Sequence, residues 1–237
     1  MGKESIFENI YKFKSWSLTN PEAPTSGEGS IQNLCVPYTK YIKIILKEKG
    51  YQSILDLGHG DWQMWPKNYF NDYKYTGIDI VSNLSASLNE KMGNRNITFV
   101  SGDISATIFP KADILISKDC FQHMTNFDII KVLDQIDKFE ELIICNDYHF
   151  ESSLSRKLIE IVQLRTRLKN LFLRRNPFYK VYTVNNARAR SGNYRGINLM
   201  AYPFSNLFNS FELVRIFDFD APNRKNYTKR VFHFRKK

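Results

Sequence analysis

The sequence predicts an α/β fold: a seven-stranded, mostly parallel sheet with helices on both faces, closed by an antiparallel C-terminal hairpin. Three observations predict it. Short apolar runs rich in Ile, Leu and Val recur along the chain, and each ends at a polar residue, usually Asp. The segments between them are long enough for crossover helices. Near the end, two strand-like runs flank one turn-rich stretch. Runs of this kind suit strands buried on both faces, hence a parallel sheet. With 43% apolar residues and 14% aromatics, the 237-residue chain can bury a sizeable core.

The elements follow in order. "PYTKYIKIILKEKG" (37–50) reads as a helix closed by Gly50. The strands are "SILDLG" (53–58), "YTGIDI" (75–80), "ITFVSGD" (97–103), "ADILISKD" (112–119) and "ELIICND" (141–147). "NFDIIKVLDQIDKF" (126–139) places apolar residues 129, 130, 133 and 136 at helical spacing. "FELVRIFDFD" and "KRVFHFRK" read as a hairpin joined by "APNRKNYT". Four regions result: an N-terminal segment (1–36), a core (37–147), a basic helical and loop insertion (148–210) and the hairpin (211–237). So long an excursion from a compact core is usually functional.

No apolar run approaches the length of a membrane span. The N-terminus mixes charges with apolar residues, unlike a signal peptide. The three cysteines, Cys35, Cys120 and Cys145, are widely spaced, which argues against a disulfide framework or a zinc cluster. A cytoplasmic location is expected. Net charge is +10, and it is clustered. Residues 156–180 hold eight Lys or Arg against one acid, and 224–237 hold seven without any. These clusters read either as solvated surface or as attraction for an anionic acceptor, a nucleic acid or a membrane surface. The 156–180 stretch could also be an oligomer contact.

In open parallel sheets, ligands bind beyond the carboxyl ends of the strands. Those ends here carry Gly58 and Gly60, Asp79, Asp103, Asp119 and Asp147. A lone strand-end Asp often caps a helix; four from separate strands should line one crevice. A dinucleotide turn would need a third glycine, where this chain has Gln63 between Trp62 and Trp65. Asp56 and Asp61 bring negative charge to the turn, which disfavours a pyrophosphate and suits a cation. Asp79 is placed to accept both hydroxyls of a ribose. A cationic adenosine without phosphates fits, as in S-adenosylmethionine (SAM).

With these motifs in order, the chain resembles the class I SAM-dependent methyltransferases, whose core is Rossmann-like. "DLGHGD" resembles their first-strand acidic glycine motif, and "GIDI" the ribose-binding one. "SGDI" resembles the motif whose acid contacts the adenine amino group. "SKDCFQHM" resembles the fourth-strand motif beside the transferred methyl. The resemblance implies a cofactor site of Asp56, Gly58, Gly60, Asp61, Asp79, Ile80, Asp103, Ile104 and Lys118, with no metal. "SGEGS" (26–30), "DCFQH" (119–123) and "YRGINLMAYPF" (194–204) resemble elements of a bacterial subgroup, implying that Ser26 and Gly27 close over the cofactor's methionine end.

Methyl transfer to a hydroxyl needs a base. His123 is the first candidate, with Asp119 to orient it or to touch the acceptor. His149 is a second base or acceptor contact, His59 touches cofactor, and His233 is a strand residue. "KDCF" lacks the proline motif of amino-nucleobase enzymes, and acid neighbours raise a Cys120 thiol's pKa, unlike a C5 nucleophile. A metal site of Asp119 with Asn146 and Asp147 has the right residue types in the wrong order. Arg195 is the expected acceptor anchor, since a guanidinium binds carboxylate or phosphate in bidentate fashion. Asn198, Tyr194, Arg188 and Arg190 could add contacts. The leading expectation is O-methylation of a small molecule or saccharide, with a lean towards surface glycans. RNA methylation is second, and a non-catalytic partner protein third.

Overall fold

The structure, a computed structural model, describes residues 2–18, 20–150, 185–220 and 227–237. It contains one seven-stranded sheet in the order β3-β2-β1-β4-β5-β7-β6. The strands are β1 (Ser53–Leu57), β2 (Lys74–Asp79), β3 (Ile97–Ser101), β4 (Ile114–Lys118), β5 (Glu141–His149), β6 (Phe211–Asp220) and β7 (Tyr227–Lys236). β1 to β5 are parallel; β7 runs antiparallel between β5 and β6. Strand order reverses between β1 and β4, so a crevice opens beyond their carboxyl ends.

The sheet is covered on both faces because its strands are apolar on both. α2 (Gln32–Lys49) lays Tyr38, Ile42, Ile45 and Leu46 against Ile54, Ile114, Ile116 and Ile143. Leu88 of α3 (Ser82–Met92) joins that core. α4 (Asn126–Leu133) lays Ile129, Val132 and Leu133 on the opposite face, with Leu57, Leu115 and Leu142. Each fully buried aliphatic side chain contributes roughly 2 kcal/mol. Thr125 caps α4, accepting from the Asp128 N–H at 3.0 Å.

Several elements differ from the sequence reading. α2 starts at Gln32 rather than at 37, with Pro37 in its second turn; a proline there forfeits its own N–H bond and crowds the carbonyl four residues back. The 126–139 helix stops at Leu133, and a separate short turn of 3-10 helix, Ile136–Lys138, carries Ile136 into the core. No helix links β1 to β2. Turns replace it, packed by Trp62, Trp65, Tyr69, Phe70 and Tyr73. Trp65 meets Tyr38 of α2 at 6.2 Å between ring centres, so it ties that helix to the sheet.

Among the described residues of the C-terminal basic cluster, several are paired. Arg230 pairs with Asp218, Arg235 with Glu141, and Lys229 is buried among aspartates. The hairpin register brings these partners together. Residues 156–180 and 221–226 lie outside the described residues. Among the described residues no helix is long and apolar enough to cross a membrane.

Candidate active site

The turn after β1 is left-handed at Gly58 (φ 76°) and Gly60 (φ 59°). A side chain at Gly58 would come within 2.7 Å of the Cys120 sulfur, so only glycine fits both the angle and the space. The Gly60 N–H donates to Asp79 Oδ2 at 3.1 Å, and the Val81 N–H donates to Oδ1 at 3.0 Å. Those bonds fix the carboxylate at the end of β2 while it still lines the crevice. The crevice holds about 880 Å3, its open mouth included. Gly58, Gly60, Asp61, Asp79, Ile80, Asp103, Ile104 and Lys118 all line it, as does Ser26.

The N-terminal segment roofs this cleft. Asp61 accepts from Thr25 Oγ1 (2.9 Å), Ser26 N–H (3.0 Å) and Ser26 Oγ (2.7 Å), so it fastens the segment to the glycine turn. α1 (Lys3–Lys12) has no buried residue of its own. It is held by Lys3, whose ammonium reaches Asp103 at 2.9 Å, Ser105 Oγ at 2.9 Å and Asp128 at 2.7 Å. Burial works against the charged form of Lys3, but the two carboxylates raise its pKa. From the same segment, Phe7, Tyr11 and Trp16 face the cleft. Gly27 adopts φ 103° beside Trp16.

At the carboxyl end of β4 lies a buried ion cluster. Asp119, left-handed at φ 57°, sits 2.5 Å from Lys118 Nζ and 2.6 Å from Lys229 Nζ. Lys229 also reaches Asp147 at 2.6 Å, and Lys118 donates to the Gly29 carbonyl at 2.7 Å. Burial disfavours the Asp119 carboxylate, but the two ammonium groups overcome it and hold its pKa well below the usual range. A side chain at Gly29 would lie 2.6 Å from Asp119 Oδ2, so this position of "SGEGS" is kept clear for the cluster. The acids considered for a metal site are therefore already paired with lysines.

His123 lines the cleft and stacks on Trp16, ring centres 4.4 Å apart. Burial pushes its pKa from 6.5 down to about 4, against the raising influence of the Asn193 carbonyl and of Asp119 and Asp147. The ring is neutral at pH 7. Nδ1 lies 3.1 Å from the Asn193 carbonyl, which requires the proton there and leaves Nε2 as an acceptor, 3.4 Å from the Gln122 amide nitrogen. The unfolded chain takes up this proton near pH 6.5, before the folded one does. Stability is therefore full above pH 6.5 and falls by roughly 3 kcal/mol as pH drops to about 4. Urea titrations at pH 7 and 4.5 should show a smaller loss in His123→Gln. An equal loss in both proteins refutes the buried neutral ring.

Other expected residues lie elsewhere. Asp56 is buried inside β1 and is not part of the cleft wall. Burial raises its pKa to about 7, despite the Tyr75 hydroxyl donating to it at 2.7 Å. Arg195 is fully buried away from the cleft, with Nη2 donating to Asn126 Oδ1 at 2.8 Å. Burial lowers its pKa to about 10. Tyr194 donates to Asp147 and lies 6.0 Å from the His123 ring. Asn198 shapes its own loop through Asn186 and Met200, and His149 packs on Tyr227. Neither lines the cleft. His59 does, held by the Gly60 carbonyl and Ser85. His233 is a core residue bonded to Tyr41 and Glu141. Arg188 and Arg190 also lie outside the cleft wall.

Lys3, Trp16, Asp128, Ser191 and Lys229 have places in or beside the site that the sequence did not single out. All but Asp128, which follows the β4 motif by four residues, come from elements remote in sequence from the strand-end motifs. Trp16 carried a faint signal, as a large aromatic in a segment outside the core.

Residues 54–139 match the family described as a methyltransferase domain. No curated protein matches the sequence significantly. Among solved structures, the magnesium protoporphyrin IX methyltransferase of Synechocystis PCC 6803, with bound SAH, is similar at a TM-score of 0.60 and 13% identity; 99% of this chain covers 98% of that one. The 1,6-didemethyltoxoflavin-N1-methyltransferase of Burkholderia thailandensis, with bound 1,6-didemethyltoxoflavin and S-adenosylhomocysteine, gives 0.59 and 16%, covering 98% and 86%. Human N-acetylserotonin methyltransferase, in complex with SAM, gives 0.53 and 14%, covering 100% and 60%. At these identities the likeness establishes the fold.

Proposed function

We propose that this chain, a class I methyltransferase, moves the methyl group of SAM to an oxygen of a small-molecule acceptor, with His123 as the base. One observation carries the reading: Asp79, fixed by the Gly60 N–H, shares a cleft with a neutral His123. Asp79 would take the ribose hydroxyls, Asp103 and Ile104 the adenine, and the Gly58–Gly60 turn the methionine part. Among the described residues, five aspartates and two lysines line the cleft, which suits a cationic cofactor.

In the reaction the acceptor oxygen attacks the methyl carbon in line as the carbon–sulfur bond breaks. The sulfur keeps the bonding pair and leaves as S-adenosylhomocysteine (SAH). The acceptor proton passes to His123 Nε2. Asp119 does not hydrogen-bond His123; its part is to anchor the β4 end through Lys118 and Lys229. Residues 1–36 act as the closing segment. Three free cysteines accord with a reducing compartment such as the cytoplasm.

The test is calorimetry and mass spectrometry of the purified protein supplied with millimolar SAM. Binding, with methyl transfer to an acceptor, is expected. No bound SAM or SAH would sink the reading, and a non-catalytic protein would then be the better account. His123→Ala should lower turnover about 100-fold once an acceptor is known; unchanged turnover removes it as base. Lys3→Met should speed SAH release about threefold, the modest size of a part-exposed ion pair. Stopped-flow displacement measures it, and an unchanged rate means that Lys3 does not hold the roof shut.

A further inference from the structure

The two ends of the cleft differ in chemistry. The charged groups gather at the cofactor end, around Asp79, Asp103 and Asp61. At the other end the wall is Phe7, Trp16, His123, Met124 and Ser191, and Tyr11 spans the two, its hydroxyl turned towards Gly60. Trp16 is the centre of that wall. It stacks on His123 at 25° between planes, and Phe7 and Tyr11 meet its edges with ring centres 6.2 Å and 5.7 Å away. The indole is only partly covered, so it offers aromatic surface to the cleft.

We propose that the acceptor is an uncharged, planar aromatic molecule that stacks on Trp16 at the His123 end of the cleft. This rests on the methyl-transfer reading and narrows it. An anion fits poorly. Among the described residues, both lysines that line the cleft are already in ion pairs, Lys3 with Asp103 and Asp128, Lys118 with Asp119. The arginine expected as anchor lies outside the cleft wall. A carboxylate or phosphate would give up its water without a partner among the described residues, beside five aspartates. A protonated amine fits no better, because it has no lone pair to attack with and would face the sulfonium. A saccharide needs a partner for each buried hydroxyl, and among the described residues this end offers few: the Ser191 hydroxyl and His123 Nε2, which already lies 3.4 Å from the Gln122 amide. A flat aromatic ring asks for little polar pairing and gains from offset stacking.

The experiment uses the full chain and four probes: 2-naphthol, 2-naphthoate, methyl glucoside and a short single-stranded RNA. Each is titrated by calorimetry into protein saturated with SAH. 2-Naphthol should bind at least tenfold tighter than any of the others. Trp16→Ala should weaken it about tenfold, and Trp16→Phe should restore most of the loss. The proposal is overturned if 2-naphthol shows no saturable binding, or if the naphthoate, the sugar or the RNA binds as tightly. Retention of naphthol binding by a folded Trp16→Ala also overturns it. If that variant does not fold, the four-probe comparison on the natural protein decides alone. Failure of SAH to bind would count against the cofactor reading; the same titrations on the free protein would still decide the acceptor class.

Discussion

Asp119→Ala is expected to lower the unfolding free energy by about 3–5 kcal/mol, the usual effect of stranding a buried charge. Asp119 and Asp147 together balance Lys118 and Lys229, and the two lysine side chains are only 1% and 4% exposed. Removing one acid leaves a net positive charge with no water to solvate it. Lys118 retains the Gly29 carbonyl, which is a dipole and not a counter-ion. For a chain of this size the loss corresponds to roughly 10 °C in Tm. Adding Lys118→Met to the variant should recover more than half of the loss, because it removes the stranded charge while Lys229 keeps Asp147. Urea denaturation of both proteins measures this. A loss under about 1 kcal/mol, or no recovery in the double variant, means that the cluster is not acting as a balanced buried set.

Asp79→Ala is expected to raise the Kd for SAH about 100-fold, as two hydrogen bonds to a carboxylate contribute roughly 3 kcal/mol together. The variant also orphans the Gly60 and Val81 N–H groups, which loosens the glycine turn. Asp79→Asn keeps one acceptor oxygen and should fall between the two. Calorimetry with SAH distinguishes them. A change of less than fivefold in Asp79→Ala would remove this residue from the ribose.

The strand-end motifs were legible because each is local. A buried strand needs a continuous apolar run, and the residue just past it sits at the crevice whatever the rest of the chain does. That reasoning brought Gly58, Gly60, Asp79, Asp103 and Asp119 to one cleft, as the structure has them, whereas Asp147 is buried on Lys229 outside the cleft wall. It misplaced Asp56, because an acid inside a strand can face the core, where a Tyr75 hydroxyl satisfies it. It misplaced Arg195, because composition alone cannot separate a loop arginine that faces the cleft from one folded beneath it. The C-terminal basic run, read either as solvated surface or as an anion-attracting patch, could not be resolved by composition for a related reason. Charge counted along the chain takes no account of Asp218 and Glu141, which the hairpin register brings alongside.

By itself, then, the sequence determined the α/β class, the parallel core with its antiparallel end, and the acids at the mouth of the sheet. Periodicity and strand termination are set by neighbours a few residues apart, so they can be read along a line. Tertiary structure alone decided what surrounds those acids. Lys3 meets Asp103 and Asp128 across 100 and 125 residues. Lys229 meets Asp119 across 110, and Trp16 stacks on His123 from the far end of the chain. Those contacts decide which charges are spent and which face stays aromatic. No local pattern encodes them, because each is stabilised only once the sheet has brought its two partners together.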